Sequence, residues 1–153
     1  MTPSTIPIFL LLCLIGARGY AVAGSPLAYQ SQGYGPEVKS FLEYVKHEEV
    51  ELDFQIKRNE ISRKDYDRSK NRLDVLRQAV LNRVKRTGED FVPEYNVLAA
   101  SEIGDILPNG VEDLKGHKPG DTIDAKWKFV GMMLKAEKFY IFERIIKQEQ
   151  DQN

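Results

Sequence analysis

Asn59-Glu60-Ile61-Ser62-Arg63-Lys64-Asp65-Tyr66 is the stretch that decides the fold. A serine side chain can accept from the free N–H groups at a helix start, and Asp65, three positions on, completes a capping-box spacing. Ile61 before the cap and Tyr66 four after it match the hydrophobic staple. A helix start inside a polar stretch means that the chain stops and restarts there. The sequence therefore predicts two helices joined by a tight turn, not one rod from Glu37 to Arg86.

Upstream of the turn, residues 37–60 read as the first helix. Pro36 suits a first helical position, and Glu37 suits the positive end of the helix dipole. Val38, Phe41, Leu42, Val45, Leu52 and Ile56 recur at spacings that make one apolar stripe, interrupted by Glu48 and Glu49. Val50 and Phe54 lie off that stripe and are expected to meet the second half of the domain. Downstream, Arg63 to about Arg86 is the second helix, with Tyr66, Leu73, Leu76, Val80 and Val84 on one face. Thr87-Gly88 ends it, since glycine takes a left-handed cap conformation without strain.

The two helices are oppositely charged. Residues 37–60 carry four Lys/Arg against seven Asp/Glu, a net of −3, whereas 63–86 carry nine against three, a net of +6. Each exposed ion pair is worth only about 0–1 kcal/mol, but their sum favours an antiparallel pairing of each helix with the other.

Further toward the C-terminus the texture changes. Pro93 excludes helix, and Tyr95-Asn96-Val97-Leu98-Ala99 reads as a short strand. Ser101 is placed to cap a short helix through Leu107, and Pro108-Asn109-Gly110 makes a turn. Lys118-Pro119-Gly120-Asp121 has Pro and Gly at the central positions of a type II turn. From Thr122 the residues alternate, with Ile123, Ala125, Trp127 and Phe129 on one side and Asp124, Lys126 and Lys128 on the other, which is the period of a half-buried strand. Phe139-Tyr140-Ile141-Phe142 is aromatic and β-prone. These two stretches predict a β-hairpin with arms at 122–134 and 138–147. A helix over 131–149 competes with it, because Met132, Met133, Leu134, Ala136 and Glu137 all favour helix; the hairpin is the preferred reading. The polar tail 148–153 is expected to fray.

Toward the N-terminus, residues 24–36 are an uncharged Gly/Ser/Gln/Pro-rich stretch that reads as a flexible leader. Before it, Ile6 to Ala17 is apolar throughout, too short for a span of about 20 residues but the right length for the core of a secretory signal. Ala21 and Ala23 supply the small-x-small pattern of a cleavage site, so residues 1–23 are expected to be removed. An uncleaved anchor is the competing reading, since no Lys or Arg precedes the apolar run. Cys13, the one cysteine of the chain, lies in that segment. The mature chain then has no thiol for a disulfide, a zinc site or a nucleophile.

Whole-chain composition is that of a globular protein, with 42% apolar residues, 29% charged residues and a net charge of −1, so no bulk attraction to nucleic acid is expected. His47 and Glu51, four apart on a helix, are two ligands of an incomplete metal site and read better as a solvated face. His117 falls in a Gly- and Lys-rich loop. There is no HExxH, GxSxG, Ser-x-x-Lys or glycine-rich phosphate loop, and no cofactor or metal is expected. Arg63, Lys64, Arg68, Lys70, Arg72, Arg77, Arg83, Lys85 and Arg86 form a candidate surface for an anionic lipid or glycan. Tyr140 and Phe142, on opposite strand parity from Phe139 and Ile141, form a candidate aromatic binding face if one side of the sheet stays open.

These readings converge on an α+β fold: an N-terminal antiparallel helical hairpin (37–88) packed against a small antiparallel sheet with a C-terminal β-hairpin (89–147). The functional expectation is a secreted or periplasmic module that binds a protein partner or a second copy of itself, without catalysis. An anionic-surface binder using the second helix, with peripheral membrane contact, is one alternative; a small hydrolase using a carboxylate site is the other.

Overall fold

The computed structural model describes residues 33–146. Helix α1 spans Pro36–Lys57 and α2 spans Arg63–Thr87. They are followed by strands β1 (Tyr95–Ala99), β2 (Trp127–Leu134) and β3 (Lys138–Arg144), with two short 3₁₀ turns, Ile103–Asp105 and Gly110–Leu114, between β1 and β2.

The turn at 58–62 behaves as its sequence dictates. Asn59 takes a left-handed conformation, φ 58°. The Glu60 N–H reaches the Gln55 carbonyl at 2.9 Å and the Asn59 N–H reaches Ile56 at 3.2 Å, the bond pair of a Schellman motif that satisfies the last carbonyls of α1. Ser62 Oγ accepts the Asp65 N–H at 3.1 Å and donates to the Asp65 carboxylate at 2.6 Å. Gly88, φ 72°, closes α2 with its N–H on the Val84 carbonyl.

The start of α1 is built from far away. Gly35 offers no side-chain cap. Instead the Asp90 carboxylate accepts the N–H groups of Glu37 and Val38, both at 3.0 Å, and Glu37 in return accepts the Val92 N–H at 2.8 Å. A Cβ on residue 35 would overlap the Asp90 carboxylate, so glycine is needed there for close approach.

The sheet has the order β1-β3-β2 and is antiparallel throughout. This confirms the hairpin over the competing helix, although its first arm is shorter than the alternation implied. Thr122 pairs with Lys128 through an isolated bridge. Between them the Asp124 carboxylate accepts the N–H groups of Lys126 and Trp127 and turns the chain, so regular pairing begins only at Trp127. A bulge at Val130/Gly131, where Phe129 faces Phe142 and Gly131 already faces Ile141, then reverses the side-chain parity of β2.

One sheet face packs on α2: Val97, Ala99, Phe139 and Ile141 cluster with Val75 and Ala79. The opposite face is also a core, in which Leu98, Phe129, Tyr140 and Phe142 cluster with Ile103 and Leu107 from the 3₁₀ segment. α1 lies outside this sandwich on α2, burying Val38 and Val45. Two expectations fail, the first because α1 packs chiefly on α2. Val50 and Phe54 stay 45% and 49% exposed, not packed on the sheet. The helix expected over 101–107 is a single 3₁₀ turn without a Ser101 cap; Glu102 bonds Ala99 through both its carboxylate and its N–H.

Candidate functional site

The aromatic face expected at Tyr140 and Phe142 is not exposed: the two residues are 6% and 0% accessible. The physical reason is the chain from 100 to 114, which folds back over that face. Apolar Ile103 and Leu107 fill it, and the Phe129 and Phe142 rings meet at 5.8 Å in a tilted arrangement.

The cover is incomplete. Where the 3₁₀ turns give way to the loop 115–119, a groove of about 360 Å³ remains, lined by Val111, Leu114, Pro119, Phe129, Met132 and Tyr140, with Lys115 and His117 at its mouth. Gly131 also lines it, and nothing lies within 4 Å of the Cβ position that this residue lacks. Gly131 has φ 149°, so the bulge that redirects β2 also supplies the gap. Met132 and Leu134, on the same side of the sheet, are 61% and 73% exposed. An apolar floor with a few polar groups at the rim suits an apolar ligand or side chain. Lys115 is engaged by Glu112, and His117 Nδ1 lies 3.7 Å from Asp121. Sequence reading missed this groove; the one signal for it was a glycine inside an otherwise regular strand.

The basic helix is largely committed. Arg68 meets Glu137 through two bonds, at 2.7 and 3.2 Å, and Arg72 meets both Glu102 oxygens at 2.6 Å. Arg77 joins Glu49 and Asp74, and Lys70 lies 3.5 Å from Asp53. Arg83 reaches Glu89 and Glu143, and exposed Arg63 reaches Asp67. Only part of this matching comes from α1; Asp67 and Asp74 of α2 itself, Glu89 just after it, Glu102 before the first 3₁₀ turn, Glu137 in the β-hairpin turn and Glu143 of β3 supply the rest. Lys64, Lys85 and Arg86 have no ion pair among the described residues. Lys64 and Lys85 are 21 positions apart, roughly 32 Å along a helix, so these cations do not form one patch.

Ion pairing and hydrogen bonding set the titration of several carboxylates. The Tyr66 hydroxyl, donating at 2.6 Å, holds Asp53 below the usual range despite partial desolvation, with Lys70 adding to it. Burial raises the pKa of Glu102, but the Ala99 N–H and Arg72 together outweigh it and hold the group low. Asn109, through side chain and backbone, lowers Asp113.

Against protein-family models, curated proteins and solved structures, the chain matches none. The geometry alone therefore carries the functional reading. Among the described residues no three His, Cys, Asp or Glu side chains converge to hold a metal, and no helix is long and apolar enough to cross a membrane. The cleavage residues Ala21 and Ala23 lie outside the described residues.

Proposed function

We propose that this protein is a non-enzymatic binding module that works outside the cytoplasm after loss of residues 1–23, and that it holds an apolar group in the groove beside the aromatic sheet face. The observation that supports this is Met132, left 61% exposed at the mouth of a groove floored by Phe129 and Tyr140. Completing the burial of a side chain of that size, 61% exposed, is worth about 1–2 kcal/mol, enough to favour an apolar ligand or a partner's anchor residue. The apolar run Ile6–Ala17 and the small residues Ala21 and Ala23 support the extracytoplasmic part of this reading.

The chain from Gly24 onward, the form proposed to act, with an added anilinonaphthalene sulfonate dye tests it. The dye is expected to bind at one site, and Met132→Glu to weaken binding by roughly tenfold, the loss of about 1.4 kcal/mol. Dye fluorescence that is absent, or that Met132→Glu leaves unchanged, would reject the groove as the site.

A further inference from the structure

Asn109 is the one asparagine of the chain that a glycine follows. Glycine has no side chain to keep its backbone nitrogen away from the preceding residue, so this is where an asparagine side chain is most open to attack. In that reaction the Gly110 nitrogen bonds to Asn109 Cγ, the side-chain NH₂ departs with the Gly110 proton as ammonia, and a five-membered succinimide closes. Water then opens the ring to aspartate or isoaspartate. Water is the one co-reactant, and Asn109 is exposed to it.

The fold holds this dipeptide shut. Asn109 precedes the second 3₁₀ turn, Gly110–Leu114, with φ −96° and ψ 13°. That ψ turns the Gly110 nitrogen away from the Asn109 side chain, whereas the ring closes only when the two are nearly eclipsed. The nitrogen is also engaged, donating to the Leu107 carbonyl at 2.9 Å. Asp113 clamps the other reactant: its carboxylate accepts the Asn109 side-chain amide and the Asn109 backbone N–H, both at 2.9 Å. The reaction therefore waits for the turn to open. None of the residues of that turn is buried, and such segments open locally at less cost than the whole fold.

Conversion replaces the side-chain donor with a second carboxylate against Asp113, whose low pKa depends first on that donor. Two carboxylates at hydrogen-bonding distance repel when both are charged. Isoaspartate also lengthens the backbone of the turn by one carbon. Val111 and Leu114, on the same turn, line the groove beside Met132, so the change reaches its wall.

We infer that Asn109 is a site of spontaneous deamidation, that Asp113 keeps it closed in the folded chain, and that its conversion loosens the groove wall at Val111 and Leu114. The modification does not depend on what the groove binds. Peptide mass mapping of the chain from Gly24 onward, held at neutral pH, provides the test. In guanidinium chloride Asn109 is expected to convert before any other asparagine, and the folded chain is expected to convert it at least roughly tenfold more slowly. Asp113→Ala is expected to raise the folded rate roughly tenfold and to leave the rate in guanidinium chloride unchanged. Asn109→Asp, which reproduces one product, is expected to speed amide exchange several-fold at Gly110 and Lys115, whose N–H groups bond Leu107 and Glu112, with Ile141 of the central strand unaffected.

Earlier conversion of another asparagine in guanidinium chloride would overturn the inference. Equal rates in the folded and denatured chain, or a folded rate that Asp113→Ala leaves unchanged, would do the same. Unchanged exchange at Gly110 and Lys115 in Asn109→Asp would sever the modification from the groove wall. Should Asp113→Ala not fold, the unsubstituted chain in the two states and the Asn109→Asp exchange still decide.

Discussion

The two faces of the sheet are covered in different ways. Against one lies α2, 25 residues long, whose regular repeat brings Val75 and Ala79 onto Val97, Phe139 and Ile141. Against the other lie two 3₁₀ turns and a glycine-bearing loop, which seal Phe142 completely yet leave a groove over Tyr140. The long helix seals the middle of its face because its side chains recur at a regular spacing, and its gap, between Leu73, Leu76 and the β1 edge, lies at the margin. A short irregular cover seals only where an apolar residue happens to reach, and the remaining openings become available for binding.

The sharpest test of this contrast is truncation in each face. Phe139→Ala and Phe142→Ala, both at fully buried positions, are each expected to cost about 3–5 kcal/mol in urea unfolding. A loss below about 1 kcal/mol for Phe142→Ala alone would show that the irregular cover is not a true core and would return Tyr140 and Phe142 to the surface.

A smaller effect separates the two helix starts. Ser62→Ala removes a local cap and is expected to cost about 1 kcal/mol. Asp90→Ala removes a cap that serves two N–H groups across the fold, and is expected to cost about 1–2 kcal/mol. Equal amide-exchange rates at Glu37 and Val38 before and after the Asp90 substitution would show that water serves the start of α1 as well as the carboxylate does.

The smallest expected effect is a pH dependence. Asp53, Glu102 and Asp113 have folded pKa values below their ordinary ones, so the folded chain holds fewer protons on them than the unfolded chain as acid is added. Their contribution is complete above the ordinary carboxylate range, about pH 4–5, and is lost as the pH falls through the lower folded values. Unfolding midpoints should therefore drop on acidification, and Tyr66→Phe, which removes the donor to Asp53, should make that drop shallower. An unchanged slope would detach Asp53 from acid stability.

What could be read in the sequence divides along the same line. The turn at Ser62, the Gly88 stop, the strand 95–99 and the type II turn at Pro119-Gly120 each rest on a local rule, and each is present; Gly120 has φ 103° and the Asp121 N–H returns to Lys118 at 3.0 Å. The aromatics on both parities of β3 were also legible, but whether the second side would be covered was not. The cover consists of Ile103 and Leu107 in a stretch without helical or strand period, and no repeat in the sequence announces it. The Val130/Gly131 bulge hid the fate of Met132, because a one-residue shift in parity is invisible to an alternation count. The fate of the basic helix was hidden for a different reason: Glu102, Glu137 and Glu143 are far from it in the chain, and only folding brings them to Arg72, Arg68 and Arg83.

The clamp between Asp90 and the start of α1 has a consequence for the order in which the chain can finish folding. The first turn of α1 is completed by Asp90, made more than fifty positions later. Ribosomal synthesis and any passage through a membrane pore run from the N-terminus onward, so the helical pair emerges with two amides still open. It becomes whole only when the loop leading into β1 arrives. A chain interrupted at Gly88 would hold both helices and yet lack the piece that fixes where the first one begins.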